Sequence, residues 1–463
     1  MQDLTKGPIQ KHIISMALPI AIGMLIQTLY FIIDLYFVGH IGKTALAGVS
    51  TAGNLFFFVM ALTQVFNVGC ATLIAHAIGR KDKQHANKIY SHTMFYSVLA
   101  TLLSLVVGYG FSGNYFLATA VDNATYQACI DYFYWFLPSI SLQFVLTAIM
   151  ASMRGAGLVK PFMMMQMFAL IINAILSPIL ITGVGVFTPM GVSGAGLASS
   201  IAAIIALLLS MLYLKNNKKT LQLRVADIRS DWPTLKNLLR VGVPAGSEFM
   251  LTFLYMAVIY WVLADFGAHE QAGFGLGSRI MQSLFLPVLA IAFAAPAIAG
   301  QNYAAGKLKR VYVTYKFTML ITVTLMLLIS IPCIVVPHIF FTAFSDDPQV
   351  IRAATTFLSF IGFNFVPAGI VFSASAMFQA FGNTWPSLLG TSIRIGSFCC
   401  LLFFYLSQQA LTISTMWTIS VVTVCIQAIL VFIMLQVTLK RRVFSKALKR
   451  KSDVRLVTNT TVS

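Results

Sequence analysis

The feature that most constrains this chain is the length of its apolar runs. Time after time about 20 mostly apolar residues pass before a charge cluster or a Gly, Pro or Asn turn intervenes, and a helix of that length crosses the hydrocarbon core of a bilayer. The breaks predict helices near 13–38, 50–78, 90–115, 127–153, 160–183 and 190–214, then near 236–264, 275–302, 312–341, 353–381, 385–406 and 411–439. The first run is too long for the apolar stretch of a signal peptide and leads straight into further spans, so it counts as a helix. Composition agrees: 58% of the residues are hydrophobic and 10% are charged, against about 25% charged in a soluble domain. No water-soluble interior holds so much apolar surface. The expected fold class is all-α integral membrane, with twelve transmembrane helices.

Several kinds of chemistry drop out at once. The six cysteines lie in or beside apolar runs and form no C-x-x-C pair, so they read as small core hydrophobes. The histidines are scattered, with no H-E-x-x-H, and no Walker A or Gly-rich phosphate loop opens a helix. The expectation is a protein with no bound metal and no cofactor, and not a soluble enzyme.

The net charge of +18 is distributed by side. Of 31 Lys and Arg, 27 fall in alternate loops and the tail, from Lys6 and Lys11 through Lys215–Arg240 to Lys440–Arg455. The opposite side has only Lys43 and Arg352, with Asp122, Asp265, Glu270, Asp346 and Asp347, while Arg279 and Arg394 sit inside predicted helices. By the positive-inside rule both termini are cytoplasmic and the number of spans is even. The basic tail then reads as a solvated end near anionic headgroups. The lipid bilayer is the expected partner, and nucleic acid is not.

The chain also resembles itself at a spacing of 225 residues. Pro19 recurs as Pro244, Leu29-Tyr30 as Leu254-Tyr255, Gly42 as Gly267, and Ala47-Gly48 as Ala272-Gly273. Ala151 recurs as Ala376, Gly157 as Gly382 and Pro161 as Pro386, while Gly79 pairs with Gly306 after a two-residue slip. The expected organisation is an N-terminal six-helix lobe (1–214), a cytoplasmic inter-lobe linker (215–240), a C-terminal six-helix lobe (241–439) and a basic tail (440–463). Two such six-helix bundles are related by a pseudo-twofold axis along the membrane normal, an architecture that places substrate between the halves.

Ala17–Gly48 (ALPIAIGMLIQTLYFIIDLYFVGHIGKTALAG) resembles the opening helix of multidrug and toxin extrusion (MATE) transporters. So do MRGAG at 153–157 with Pro161, NAILSP at 173–178, GVSGAGLAS at 191–199 and GQNYAAG at 300–306. The resemblance covers residues 8–440, and its details are most similar to the DinF-like branch. It implies secondary active export of drug-like small molecules against an ion gradient, by a monomer in a bacterial cytoplasmic membrane.

Acids inside a membrane are expensive and default to functional hypotheses. Only Asp34 and Glu248 fall well inside predicted helices. Asp34 shares a helical face with Tyr30 and Gln27, and in the repeat it falls on Ile259, so its carboxylate belongs to the N-terminal half alone. Burial opposes the charged form of a carboxylate and a hydroxyl donor favours it; a balance near ambient pH lets Asp34 cycle a proton. Asn173 and Ser177 lie one turn apart on helix five. DinF-type relatives commonly carry Asp where this chain has Ser177, and Ser199 matches a hydroxyl that lines the same cavity in relatives. The expected ion-coupling set is therefore Asp34, Tyr30, Asn173, Ser177 and Ser199, each of the neutral ones being equally readable as interhelical glue. With one formal charge in the pocket, H⁺ is the expected coupling ion and Na⁺ the alternative. Glu248, one turn after Pro244, is either a secondary or substrate-binding acid, with Gln27, or a structural partner of Arg279 or Arg394. Pro19 and Pro244 are the expected helix hinges. The 21 Met and 37 Phe, with Met163, Met164, Met165 and Met167 clustered, suit an adaptable surface for apolar ligands. The leading expectation is proton-coupled export of amphiphilic, often cationic compounds; a flippase for lipid-linked precursors is the reading from another class.

Overall fold

A computed structural model describes residues 2–39, 41–119, 122–183, 188–217, 220–224, 231–342, 344 and 347–444; for 30–35 and 43 it describes the main chain alone. The first half of the chain forms α1 (Ile9–Gly39), α2 (Lys43–Gly79), α3 (Lys83–Thr119), α4 (Asn123–Gly155), α5 (Val159–Thr182) and α6 (Val192–Asn216). The second half forms α7 (Trp232–Ala264), α8 (Ala268–Ala304), α9 (Leu308–Val335), α10 (Pro348–Ile361), α11 (Phe365–Ala380), α12 (Trp385–Ser407) and α13 (Ile413–Leu439). With α10 and α11 counted as one span, twelve helices among the described residues are long and apolar enough to cross a membrane. Helices are what such a solvent demands, because lipid offers no partner for a backbone N–H or C=O.

The tenth span, expected as one helix, is interrupted by a 3₁₀ turn at Gly362–Asn364. Pro367, in the first turn of α11, has no N–H for the carbonyl four residues back. Ser330 on α9 donates to the Gly362 carbonyl at 2.7 Å, an acceptor it shares with the Phe365 N–H of the 3₁₀ turn.

The internal repeat persists at the level of single hydrogen bonds. Gly42 and Gly267 both precede a helix with positive φ (149° and 105°). Gly157 and Gly382 both take the left-handed conformation after a helix (75° and 68°), and each donates to the carbonyl three residues back. Gly48 packs α2 on α4 at Ala128, and Gly273 packs α8 on α10 at Ala353, so close that a Cβ at either would clash (2.8 and 2.4 Å). The slip expected at Gly79 is not there. The counterpart of Gly306 (φ 72°) is Lys81 (φ 60°), at the constant spacing of 225.

Two compact units result, and they interleave along the chain. One is built on Leu18–Gly246, the other on Leu4–Ala17 and the chain from Ser247 onward. In the second unit the segment before α1 is gripped by polar side chains in the last turn of α8 and just after it. Leu4 N–H donates to Gln301 Oε1 (3.0 Å), Asn302 Nδ2 donates to the Leu4 carbonyl (3.2 Å), and Lys307 and Arg310 donate to the carbonyls of Thr5 and Gly7 (both 2.8 Å). The first unit treats the segment before α7 in the same way: Gln222 and Arg224 N–H donate to Asn87 Oδ1 and Ser91 Oγ on α3 (3.1 and 3.0 Å). Each unit has its own apolar core. Tyr132, Phe133 and Phe136 of α4 anchor one, and Phe274, Phe357 and Trp417 of α8, α10 and α13 anchor the other.

Candidate functional site

In the first unit the arrangement is built by glycines. A Cβ at Gly194 would stand 2.6 Å from the Leu180 carbonyl of α5, and one at Gly196 would stand 2.5 Å from the Tyr132 carbonyl of α4. The GVSGAG stretch thus lets α6 lie backbone to backbone on its neighbours, the close packing that small residues permit in lipid. Ser199 is thereby set beside Asn173, which donates to its hydroxyl at 3.4 Å. Ser177 follows one turn on, and all three side chains are fully buried. Gln27 is exposed on α1. Tyr30 and Asp34 lie on α1, but their side chains lie outside the described residues.

Pro19 lies inside α1 and Pro244 inside α7, both buried. These are also the places where the chain passes from one unit to the other, at 17/18 and 246/247. A helix that lacks one rung of its ladder bends there most easily.

The second unit holds Glu248 one turn beyond Pro244, half-buried. It makes no ion pair with Arg279 or Arg394. Instead, Thr391 Oγ1 on α12 donates to Glu248 Oε1 at 3.3 Å, and Gln427 Nε2 on α13 donates to Thr391 Oγ1 at 3.0 Å. Gly390 makes this possible, since a Cβ there would meet Val431 at 2.4 Å and hold α12 away from α13. Two turns along α7, the Tyr255 hydroxyl bonds Ser420 Oγ at 2.8 Å, and the Arg394 guanidinium sits 4.7 Å over the Tyr255 ring. A carboxylate reached by a hydroxyl that is itself held by an amide can carry a proton or a small cation. Thr391 and Gln427 carried no signal in the sequence beyond being polar within apolar spans. Tyr255 did, as the repeat counterpart of Tyr30.

The MatE family model matches residues 19–179 and 244–405, two stretches that begin at the paired prolines. The chain is 25% identical over 381 residues to the multidrug export protein MepA of Staphylococcus haemolyticus, covering 82% of this chain and 83% of that one. It is equally 25% identical over 397 residues to an FAD transporter of Shewanella oneidensis, covering 85% and 87%. The fold matches that of a MATE crystal structure in the bent conformation, with a TM-score of 0.89, 22% identity, and 96% and 98% of the two chains covered. It also matches a MOP superfamily transporter from Pyrococcus furiosus reported to have a binding pocket of reverse polarity, with a TM-score of 0.87, 22% identity, and 95% and 98% covered. A family model that matches both halves, on a twelve-span helical fold with an internal repeat, makes this chain a member of the MatE family, a multi-pass membrane transporter and not an enzyme.

Proposed function

We propose that this chain is a secondary active antiporter, of the DinF-like type by its motifs, that exports amphiphilic and often cationic drug-like compounds in exchange for inward protons. It works in a bacterial cytoplasmic membrane with both termini and the 215–240 linker on the cytoplasmic side, and its lobes are 1–214 and 241–439. The relatives named as multidrug export proteins support the cargo class.

The observation that carries the choice of ion is the make-up of the α5–α6 contact. Asn173, Ser177 and Ser199 are buried together there and none is charged. Within the expected ion-coupling set, the one formal charge is therefore that of Asp34. A dehydrated Na⁺ wants several oxygen ligands with negative charge, whereas a proton needs one carboxylate, and apolar surroundings favour the neutral acid. Each charge that moves down the membrane potential contributes about 2.3 kcal/mol per 100 mV. In this reading Asp34 takes a proton from outside, α1 bends at Pro19, and the proton leaves inside as cargo is exchanged. Glu248, with its Thr391–Gln427 support, is the secondary acid.

The test is efflux from vesicles under separately imposed gradients. A proton gradient alone should drive export, Asp34→Asn should abolish it with the protein still folded, and Ser177→Asp should introduce sodium dependence. Transport that follows sodium and ignores pH would sink the proton reading; near wild-type export by Asp34→Asn would move the coupling role to Glu248.

A further inference from the structure

Where α9 begins and α13 ends, the second unit gathers basic and aromatic side chains that the transport reading does not use. α13 ends at Leu439, and Lys440–Phe444 continue it as a π-turn, a rare distortion found mostly at functional sites. The Phe444 ring meets the Tyr312 ring of α9 edge-on at 5.3 Å. Two turns earlier, Gln436 Nε2 on α13 donates to the Tyr315 hydroxyl of α9 at 2.7 Å. These contacts hold the start of α9 against the end of α13.

The cations at this place divide by what they bind. Lys307 and Arg310 grip the segment before α1. Arg442 donates to the Phe381 carbonyl at the end of α11 (2.8 Å). Lys309, Lys316, Lys440 and Arg441 are exposed, and among the described residues their side chains make no hydrogen bond or ion pair. No Asp or Glu occurs in residues 271–345 or 348–452 to offset them.

Lys316 stands eight residues past the start of α9, about 12 Å along it. Its ammonium nevertheless turns back over the Tyr312 ring, 5.2 Å from the centroid. Side chains on a helix tilt toward its start, and a long one carries its charge back to the interface. Lys440 lies between Gln436 and Phe444, the two residues that touch α9, so it stands at the level of Tyr312. Around these cations the exposed residues are apolar: Val313 and Leu320 on α9, Ile433 and Val437 on α13.

We propose that Lys316 and Lys440, with Lys309 and Arg441 beside them, bind the headgroup phosphate of an anionic phospholipid whose acyl chains run along α9 and α13. Ammonium and guanidinium groups hold a phosphate by charge-assisted hydrogen bonds. A cluster of four cations beside a span selects a lipid with net negative charge over a zwitterionic one. The bound lipid ties the start of α9 to the π-turn. The inference rests on the membrane fold, not on the cargo or the coupling ion.

The test is a titration of the purified, delipidated full-length protein in dodecyl maltoside with phosphatidylglycerol or phosphatidylcholine, each labelled on an acyl chain and read by anisotropy. The wild type should bind phosphatidylglycerol at least about tenfold more tightly. The double variant Lys316→Gln/Lys440→Gln should weaken phosphatidylglycerol roughly thirtyfold and leave phosphatidylcholine within about twofold. Lys316→Arg/Lys440→Arg should keep the preference. Lys160→Gln/Lys215→Gln, which removes two exposed cations from the first unit, should leave phosphatidylglycerol within about twofold. Equal binding of the two lipids by the wild type overturns the proposal whether or not the variants fold. So does an equal loss in the two Gln double variants, which would mean general surface charge only. Displacement of phosphatidylglycerol by inorganic phosphate at equal concentration would overturn the lipid assignment.

Discussion

The turns that end α2 and α8 are the same structure built from different residues, which makes them a matched pair for measuring backbone strain. Arg80, Lys81 and Asp82 N–H donate to the carbonyls of His76, Ile78 and Ala77 at 3.1, 2.8 and 3.0 Å. Ala305, Gly306 and Lys307 donate to Gln301, Tyr303 and Asn302 at 3.0, 3.0 and 2.9 Å. The left-handed position holds Lys81 at φ 60° in one turn and Gly306 at φ 72° in the other. A Cβ in that conformation costs roughly 1–2 kcal/mol. Replacing Gly by Ala returns about 0.4–1 kcal/mol through a less disordered unfolded chain. Gly306→Ala should therefore destabilise by about 1 kcal/mol, and Lys81→Gly should stabilise by a similar amount, each close to a fivefold change in the unfolding equilibrium. Both are read from intrinsic tryptophan fluorescence during thermal unfolding in one detergent at one scan rate, since unfolding of a protein this large is often irreversible. The two melting temperatures should move in opposite directions. Shifts of the same sign, or a destabilised Lys81→Gly, would refute the equivalence of the two turns.

Gly194→Val should separate α6 from α5, because its branched side chain would meet the Leu180 carbonyl already 2.6 Å from a Cβ. The expected cost is about 1–3 kcal/mol from overpacking, with transport lost, and an unchanged melting temperature would count against it. The half-buried Lys88–Asp231 pair (2.6 Å) holds the Asp231 carboxyl below its usual range, chiefly through the Lys88 hydrogen bond. A depressed carboxylate stabilises above its unfolded pKa of about 3.9, and that contribution fades as pH falls through the folded value. Wild type and Asp231→Asn should thus differ by at most about 1 kcal/mol at neutral pH and converge in acid; a gap that widens on acidification would contradict the sign.

The spans were legible because lipid leaves so few alternatives: a mostly apolar stretch of the right length has to be helix. The repeat was legible in Pro and Gly, residues chosen for the backbone, and the paired φ values at Gly42/Gly267 and Gly157/Gly382 show why. It failed where a side chain stood in for a glycine. Lys81 tolerates the left-handed turn, so alignment by glycine alone moved the match to Gly79. The break at Gly362–Asn364 had its signal in Pro367 but was hidden by unbroken apolarity around it. At the candidate site, Asn173 and Ser199 could be brought together on paper because both lie in motifs. The Glu248–Thr391–Gln427 chain could not, since the acceptor a mid-helix hydroxyl finds is set by how three helices cross.

The grip on the segment before α1 also sets an order of synthesis. Leu4 emerges from the ribosome 297 residues ahead of Gln301, its hydrogen-bond partner. At about 5–20 residues per second, that gap is on the order of 15–60 s. Throughout it, the opening turns of α1 belong to a unit that has not yet been made. The first half can insert its spans in turn, but its leading segment has to wait, held by lipid or by the insertion machinery, until α8 is complete. Folding therefore closes backwards: the last-made unit recruits the first-made residues. A ribosome stalled within the second half would leave an inserted chain whose N-terminus is unclaimed.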